Sequence, residues 1–274
     1  VTRVALVTGA SRSVGKGIAL ALGTDGWTVY VTGRGPVGAD GPLDVTAAAV
    51  TERGGRGIAV QCDHRDDNQI AALFARIAGE QDGRLDLLVN NVWAAPKGFA
   101  GFSDPFWRRP LSDWDSLIGV GLRAHYVAAV HAAPLMVERR SGAIVNISSF
   151  GTRGYLHSVL YGMSKAGLDK MTADMAVDLR DTGVSVLSLW PGLVKNEAMV
   201  AWGVEEFQGF SLANAETPEF IGRVIVALLN DPDLEARSGH TLITAETALD
   251  YGVTDIEGNQ PDSHRRFFGG GPLF

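Results

Sequence analysis

Short, almost wholly apolar runs recur along the chain, separated by longer Ala-rich stretches. The runs Val4–Val7, Thr28–Thr32, Gly57–Cys62, Leu85–Asn90, Ala143–Ser149, Val184–Trp190 and Thr241–Thr244 are rich in β-branched residues. Most are apolar at successive positions, as strands buried on both faces are, so they read as parallel strands. The stretches between them, about 14–24, 45–54, 66–80, 112–139, 159–182 and 218–230, read as helices. Strand-helix alternation sustained this far predicts an α/β protein: a single-domain, doubly wound Rossmann fold with a mainly parallel sheet and helices on both faces. No compositional break marks a linker, so residues 1–257 are taken as one domain and 258–274 as a C-terminal tail.

Three segments leave this rhythm. Residues 92–111 and 193–217 are long, aromatic-bearing connections, and the tail is rich in Gly and Phe. Long loops at strand ends often carry a binding surface, although packing explains most single aromatics. The tail is expected to dock on a neighbouring subunit or to stay loose.

Composition narrows the class. The 274 residues carry 24 Lys and Arg against 31 Asp and Glu, a formal net charge of −7. An acidic surface argues against nucleic acid or an anionic membrane as the main partner. No apolar run approaches the ~20 residues of a membrane span, and no signal peptide is visible. The one cysteine, Cys62, fits a reducing compartment and reads as a small core residue. A cytoplasmic protein is expected. The six histidines show no metal-ligand spacing, and no Gly-x-Ser-x-Gly elbow is present.

The first strand runs into Thr8-Gly9-Ala10-Ser11-Arg12-Ser13-Val14-Gly15, and a helix follows. Gly9 permits a turn barred to residues with a Cβ, and Gly15 lets the helix start close to the strand. Backbone amides at the helix start then face a pyrophosphate. This stretch resembles the cofactor loop of the short-chain dehydrogenase/reductase family. The resemblance spans roughly residues 3–252 and extends to the family's branch named dehydrogenase/reductase member 1, through stretches such as Leu187-Ser-Leu-Trp-Pro-Gly192 and Leu249-Asp-Tyr-Gly-Val-Thr-Asp255. It implies cofactor contacts at Gly9, Ser11, Arg12, Ser13, Val14 and Gly15. Ser13 stands where the family usually has Gly; its side chain either crowds the pyrophosphate or binds one of its oxygens.

In this fold an acid just past the second strand selects NAD, whereas a basic group accommodates the 2′-phosphate of NADP. Here the strand ends Thr32-Gly33-Arg34, and no acid follows until Asp40. With Arg12 as a second guanidinium, NADP(H) is the expected cofactor, with NAD(H) left open. The resemblance places Asp63 beside the adenine and Asn90 beside the cofactor. The family's usual Ala-Gly after its Asn pair is Val92-Trp93 here, so Trp93 is expected to line the substrate site. Pro191, Gly192 and Val194 match the family's Pro-Gly-x-Val-x-Thr segment at the nicotinamide, and Asn196 replaces its Thr.

The strongest signal is Tyr161-Gly-Met-Ser-Lys165. Helix positions i and i+4 share a face, so phenol and ammonium point the same way. A nearby ammonium favours tyrosinate and is expected to lower the tyrosine pKa, which suits the phenol to exchange a proton with a substrate oxygen. A serine at the preceding strand end would orient that oxygen. Aligning on the strand selects Ser149, whereas counting back from Tyr161 by the family's commonest spacing selects Ser148; the strand alignment is taken. The resemblance makes Tyr161 the acid/base, Lys165 its tuner and nicotinamide-ribose ligand, and Ser149 the substrate-orienting group. Gly121 falls where the family often has an Asn that holds a relay water, as it also does in the resembling branch. His125, one turn on, is a substitute for it or a packing residue.

These readings converge on an oxidoreductase that transfers a hydride between NADP(H) and a carbonyl or secondary alcohol of a mainly apolar small molecule. The rival is a catalytically silent NADP(H)-binding sensor or scaffold, motivated by Ser13, Gly121 and Asn196. An enoyl reductase is disfavoured, because the family's enoyl reductases space the Tyr and Lys more widely. The resemblance also implies a homodimer or homotetramer through helices 112–139 and 159–182.

Overall fold

The computed structural model describes residues 2–38, 40–96, 104–207 and 209–268. Strands β1 (Val4–Val7), β2 (Thr28–Gly33), β3 (Arg56–Gln61), β4 (Leu87–Asn90), β5 (Gly142–Ile147) and β6 (Val184–Trp190) pair in parallel. A short hairpin, β7 (Glu206–Phe207) and β8 (Phe210–Ser211), stands apart, and β9 (Thr241–Ile243) closes the sheet in the order β3-β2-β1-β4-β5-β6-β9. The order reverses at β1, so a crevice opens at the carboxyl ends of β1 and β4, where ligands bind in open α/β sheets.

Alternation along β1 shows why both faces are covered. Ala5 and Val7 pack with Ile18 and Leu22 of α1 (Ser13–Thr24), with Leu43 and Val50 of α2 (Pro42–Glu52), and with Ile221 and Ile225 of α7 (Pro218–Leu229). Val4 and Leu6 face the other way. They join Ile70 and Phe74 of α3 (Asp67–Glu80) and Ala128 and Met136 of α4 (Ala124–Arg139). Period-two alternation thus feeds two cores from one strand. Cys62 sits in the second core, where burial pushes its thiol up to about 11. Among the described residues no helix is long and apolar enough to cross a membrane.

The expected helix over 112–139 is in fact two pieces. Asp115–Arg123 is π-helical and runs straight into α4. The helix over 159–182 is α5 (Val159–Asp178), with Ser158 capping its start by accepting from the Tyr161 amide at 3.2 Å. Two helices had no forecast: α6 (Glu197–Trp202), inside the 193–217 loop, and α8 (Thr244–Asp250) after β9. The last expected strand residue, Thr244, already opens α8.

Through Phe268 the tail lies on its own subunit: Arg265 pairs with Glu246 of α8, and Phe268 stacks on Phe150 at 5.1 Å. Residues 269–274, like 97–103 of the first long loop, lie outside the described residues.

Helices α1 and α7 approach closely at Gly17. A Cβ on Gly17 would fall 2.1 Å from the Pro218 carbonyl carbon, with only backbone around it. Gly17→Ala is therefore expected to cost about 3 kcal/mol by overpacking and to lower Tm by roughly 5 °C or more in a thermal melt.

Candidate active site

The crevice floor is built by register. Asn90 of β4 pairs with Asn146 of β5, and Asn146 with Ser188 of β6, so polar side chains line up at the carboxyl ends of adjacent strands. The Asn90 amide donates to Asn146 Oδ1 at 3.0 Å and to the His125 carbonyl at 3.2 Å, deep in the interior. Asn91 ties β4 to the phosphate loop, donating its side chain to the carbonyls of Thr8 and Gly9 at 2.9 and 3.1 Å.

Beyond β5 the chain turns through a short 3-10 segment, Phe150–Thr152, which Ser149 caps by accepting from the Gly151 amide. This cap holds the Ser149 hydroxyl still, 2.9 Å from Tyr161 Oη. Ser148 points the other way and donates to the Lys165 carbonyl at 3.2 Å. Geometry therefore brings Ser149, and not Ser148, to the tyrosine.

Lys165, one turn after Tyr161, is buried. Its ammonium donates to the Ile147 carbonyl at 2.9 Å and stands 5.8 Å from the Tyr161 ring centroid. Burial lowers its pKa to about 8, with Asp169 opposing that shift. The tyrosine departs from expectation. Its pKa is raised, by burial, and only the Ser149 hydrogen bond pulls it down. The ammonium is aimed at a carbonyl rather than at the phenol oxygen, so desolvation of the tyrosinate prevails. The resting phenol is neutral.

Asp169 was not singled out by sequence reasoning. It lies one further turn along α5 and accepts from Thr152, Ser188 and Trp190, at 2.7, 2.5 and 3.1 Å. Burial raises its pKa, and those donors hold it down. The repeat of four from Tyr161 to Lys165 to Asp169 was the available signal. Its partners come from two other segments, the turn after β5 and strand β6, which no local pattern reveals.

Two departures from the family pattern are now explained. A Cβ on Gly121 would meet Trp93 Cδ1 at 3.3 Å, so the indole stands where a longer side chain at 121 would project. Trp93 in turn meets the Tyr161 ring edge-on, with centroids 6.1 Å apart. His125 is buried against the Val92 carbonyl, 2.8 Å from Nε2, and burial pushes its pKa down to about 3. It is a neutral packing residue under the site.

The family described as short chain dehydrogenase matches residues 3–206. The chain belongs to that family. It is similar to dehydrogenase/reductase SDR family member 1 of Mus musculus, 41% identical over 266 residues, which cover 93% of this chain and 84% of the relative. Among solved structures it resembles a metagenomic short-chain oxidoreductase in complex with NADP. That match has 30% identity and a TM-score of 0.71, and covers 88% of this chain and 96% of the other. A short chain dehydrogenase from Mycobacterium thermoresistibile matches with 27% identity and a TM-score of 0.77, over 93% and 89% of the two chains. As a short-chain dehydrogenase/reductase, the protein is an oxidoreductase with a seven-stranded Rossmann sheet.

The family's dinucleotide fits the residues present. Gly9 has φ +68°, and a Cβ there would fall 2.8 Å from Val92 Cα; one on Gly15 would fall 2.5 Å from Asn91 Nδ2. Both glycines are thus needed to shape the loop. Ser13 adopts φ +50°, the left-handed region, which explains why relatives use Gly there; the strain is on the order of 1 kcal/mol. A carboxylate of this chain, from Glu197, already sits on the Ser13 amide, so the helix start does hold an anion. Arg12 and Arg34 have no hydrogen-bonded side-chain partner among the described residues, whereas Asp63 is bound by Arg65 at 2.5 Å. Asn196 spends its side chain capping α6, accepting from Ala198 and Met199.

Glu216 anchors the loop that follows Pro191. It accepts from the Gly192 amide at 2.8 Å, while its backbone pairs with Leu193 and Lys195. Fully buried, its carboxyl is raised to about 8 by desolvation, with Asp255 adding repulsion. The folded chain therefore keeps a proton that the unfolded chain releases above its ordinary 4.5. This stabilisation is complete below that value and is lost as pH rises toward 8. Tm is expected to fall across that window. Glu216→Gln, which cannot ionise, is expected to flatten the decline and to melt about 3 °C or more above wild type at pH 8.5.

Proposed function

We propose that the protein is an NADP(H)-dependent oxidoreductase acting on a carbonyl or secondary alcohol of a mainly apolar small molecule. The observation that carries this reading is the Tyr161 Oη–Ser149 Oγ contact of 2.9 Å beside the buried ammonium of Lys165. Two hydroxyls this close converge on one point, where a carbonyl oxygen would accept from both. When bound, the nicotinamide supplies or accepts the hydride. The neutral Tyr161 phenol is then the form that gives a proton to the reduced oxygen, and Ser149 holds that oxygen in place. Lys165 lends positive charge to the phenolate that remains and, with the family as guide, holds the nicotinamide ribose.

Gly9, Ser11 to Gly15 and the Pro191, Gly192 and Val194 backbone are assigned to the dinucleotide, with Asn90 and Asp63 flanking it. The preference for NADP(H) rests on the guanidiniums of Arg12 and Arg34, which have no hydrogen-bonded side-chain partner among the described residues, and on Arg34 rather than an acid following β2; NAD(H) is the lesser cofactor. Trp93 gives the substrate site an apolar wall. Exposed Tyr126 and Val130 of α4, with Val159 and Met163 of α5, supply an apolar surface for a homodimer or homotetramer.

Turnover is tested by following NADPH absorbance against a panel of ketones, aldehydes and quinones. Tyr161→Phe is expected to lose at least ~100-fold in kcat while binding NADPH as wild type does. For wild type, reduction is expected to fall as pH rises past about 8, where Lys165 loses its charge. NADPH binding without Tyr161-dependent turnover would instead mark a silent cofactor binder.

Trp93 gives a separate test. Trp93→Ala is expected to raise KM for apolar ketones by roughly tenfold. Gly121→Asn is expected to do the same by pushing the indole aside. Combined, the two substitutions should cost less than their sum, as contacting residues do.

A further inference from the structure

A side chain of the 193–217 loop is hydrogen-bonded to the phosphate loop. The backbone N–H of Ser13, the first residue of α1, donates to both carboxylate oxygens of Glu197, each 3.1 Å away. Glu197 is the first residue of α6. An anion is stabilised on that amide because the positive end of the helix dipole lies there. A dinucleotide pyrophosphate would be held by the same amide for the same reason. The two cannot share it, since each needs the donor and both are negative.

Two further features make the contact exchangeable. Glu197 is joined to the amide although the guanidinium of Arg12 is next to it in the chain and has no hydrogen-bonded side-chain partner among the described residues, so that cation stays open to a ligand. In addition, α6 does not depend on Glu197 for its start. Asn196 Oδ1 holds the Ala198 and Met199 amides at 3.1 Å whichever way Glu197 turns.

We propose that Glu197 sets the affinity of the cofactor site, as an internal anion on the Ser13 amide that a pyrophosphate-bearing ligand must displace. This rests on the dinucleotide reading of the crevice. The apparent affinity is reduced by the fraction of molecules in which Glu197 holds the amide.

The test is a fluorescence titration of NADPH into wild type, Glu197→Gln and Glu197→Ala, with circular dichroism melts to verify equal folding. Both variants are expected to bind NADPH about 3- to 10-fold more tightly than wild type. Unchanged or weaker binding in the variants would overturn the proposal and leave the cofactor reading standing. Failure of wild type and both variants to bind NADPH would instead overturn the cofactor reading itself.

Discussion

The buried ammonium of Lys165 fixes the site, because it decides how α5 is rotated against the sheet. It is held by the Ile147 carbonyl at the end of β5, and Asp169 a turn later is held by Thr152, Ser188 and Trp190. Burying two opposite charges is costly, and the cost is offset only when their remaining hydrogen-bonding groups are satisfied. Those bonds exist in one rotation of the helix. That rotation puts Tyr161 on Ser149. Leaving either charge unpaired in the interior would cost several kcal/mol, so the geometry of the candidate site is tied to the stability of the core.

The family's pattern is broken at Ser13, Gly121 and Asn196, and in each case the neighbourhood has adjusted. Ser13 accepts a left-handed backbone and meets Glu197. Gly121 makes room for Trp93, which braces the tyrosine ring from the side. Asn196 starts a short helix. The loop beyond Pro191 is held at several points, among them Asn214 on Asp262 and Phe210 on His264 and Phe267. At its base Glu216 is buried and bonded to Gly192. At its far contact, Glu197 is exposed and bonded to a single amide.

Much of this was legible in the sequence, for physical reasons. Strands buried on both faces must be apolar throughout, which made β1, β2, β4, β5 and β6 stand out; β3 and β9 are only partly buried but were also found, and all ends fell within two residues. The Tyr161–Lys165 pair was legible because helical spacing alone puts both on one face. The position of Ser149 against Tyr161 followed from the strand alignment, whereas counting would have selected Ser148, which bonds to the Lys165 carbonyl. The rest depends on distant partners. Asp169 acquires meaning only from Thr152, Ser188 and Trp190, and Glu197 only from an amide far back in the chain. The π-helical turn of Asp115–Arg123 has no composition that sets it apart from the α4 that follows. The tyrosine's raised pKa was missed because the ammonium's neighbourhood was inferred without its aim.

The contest between an enzyme and a silent binder turns on what each would have to maintain. A protein that merely held a dinucleotide needs the phosphate loop and the crevice. It has no use for a desolvated lysine whose pKa has been pushed down toward 8, or for two hydroxyls locked 2.9 Å apart. Such groups burden folding, and apolar residues of similar volume would serve the core at least as well. Ser13, Gly121 and Asn196, the residues that suggested loss of function, are packed or capped rather than left as defects. Retention of the costly groups alongside repair of the unusual ones is what selection for turnover produces, and it weighs for the enzyme.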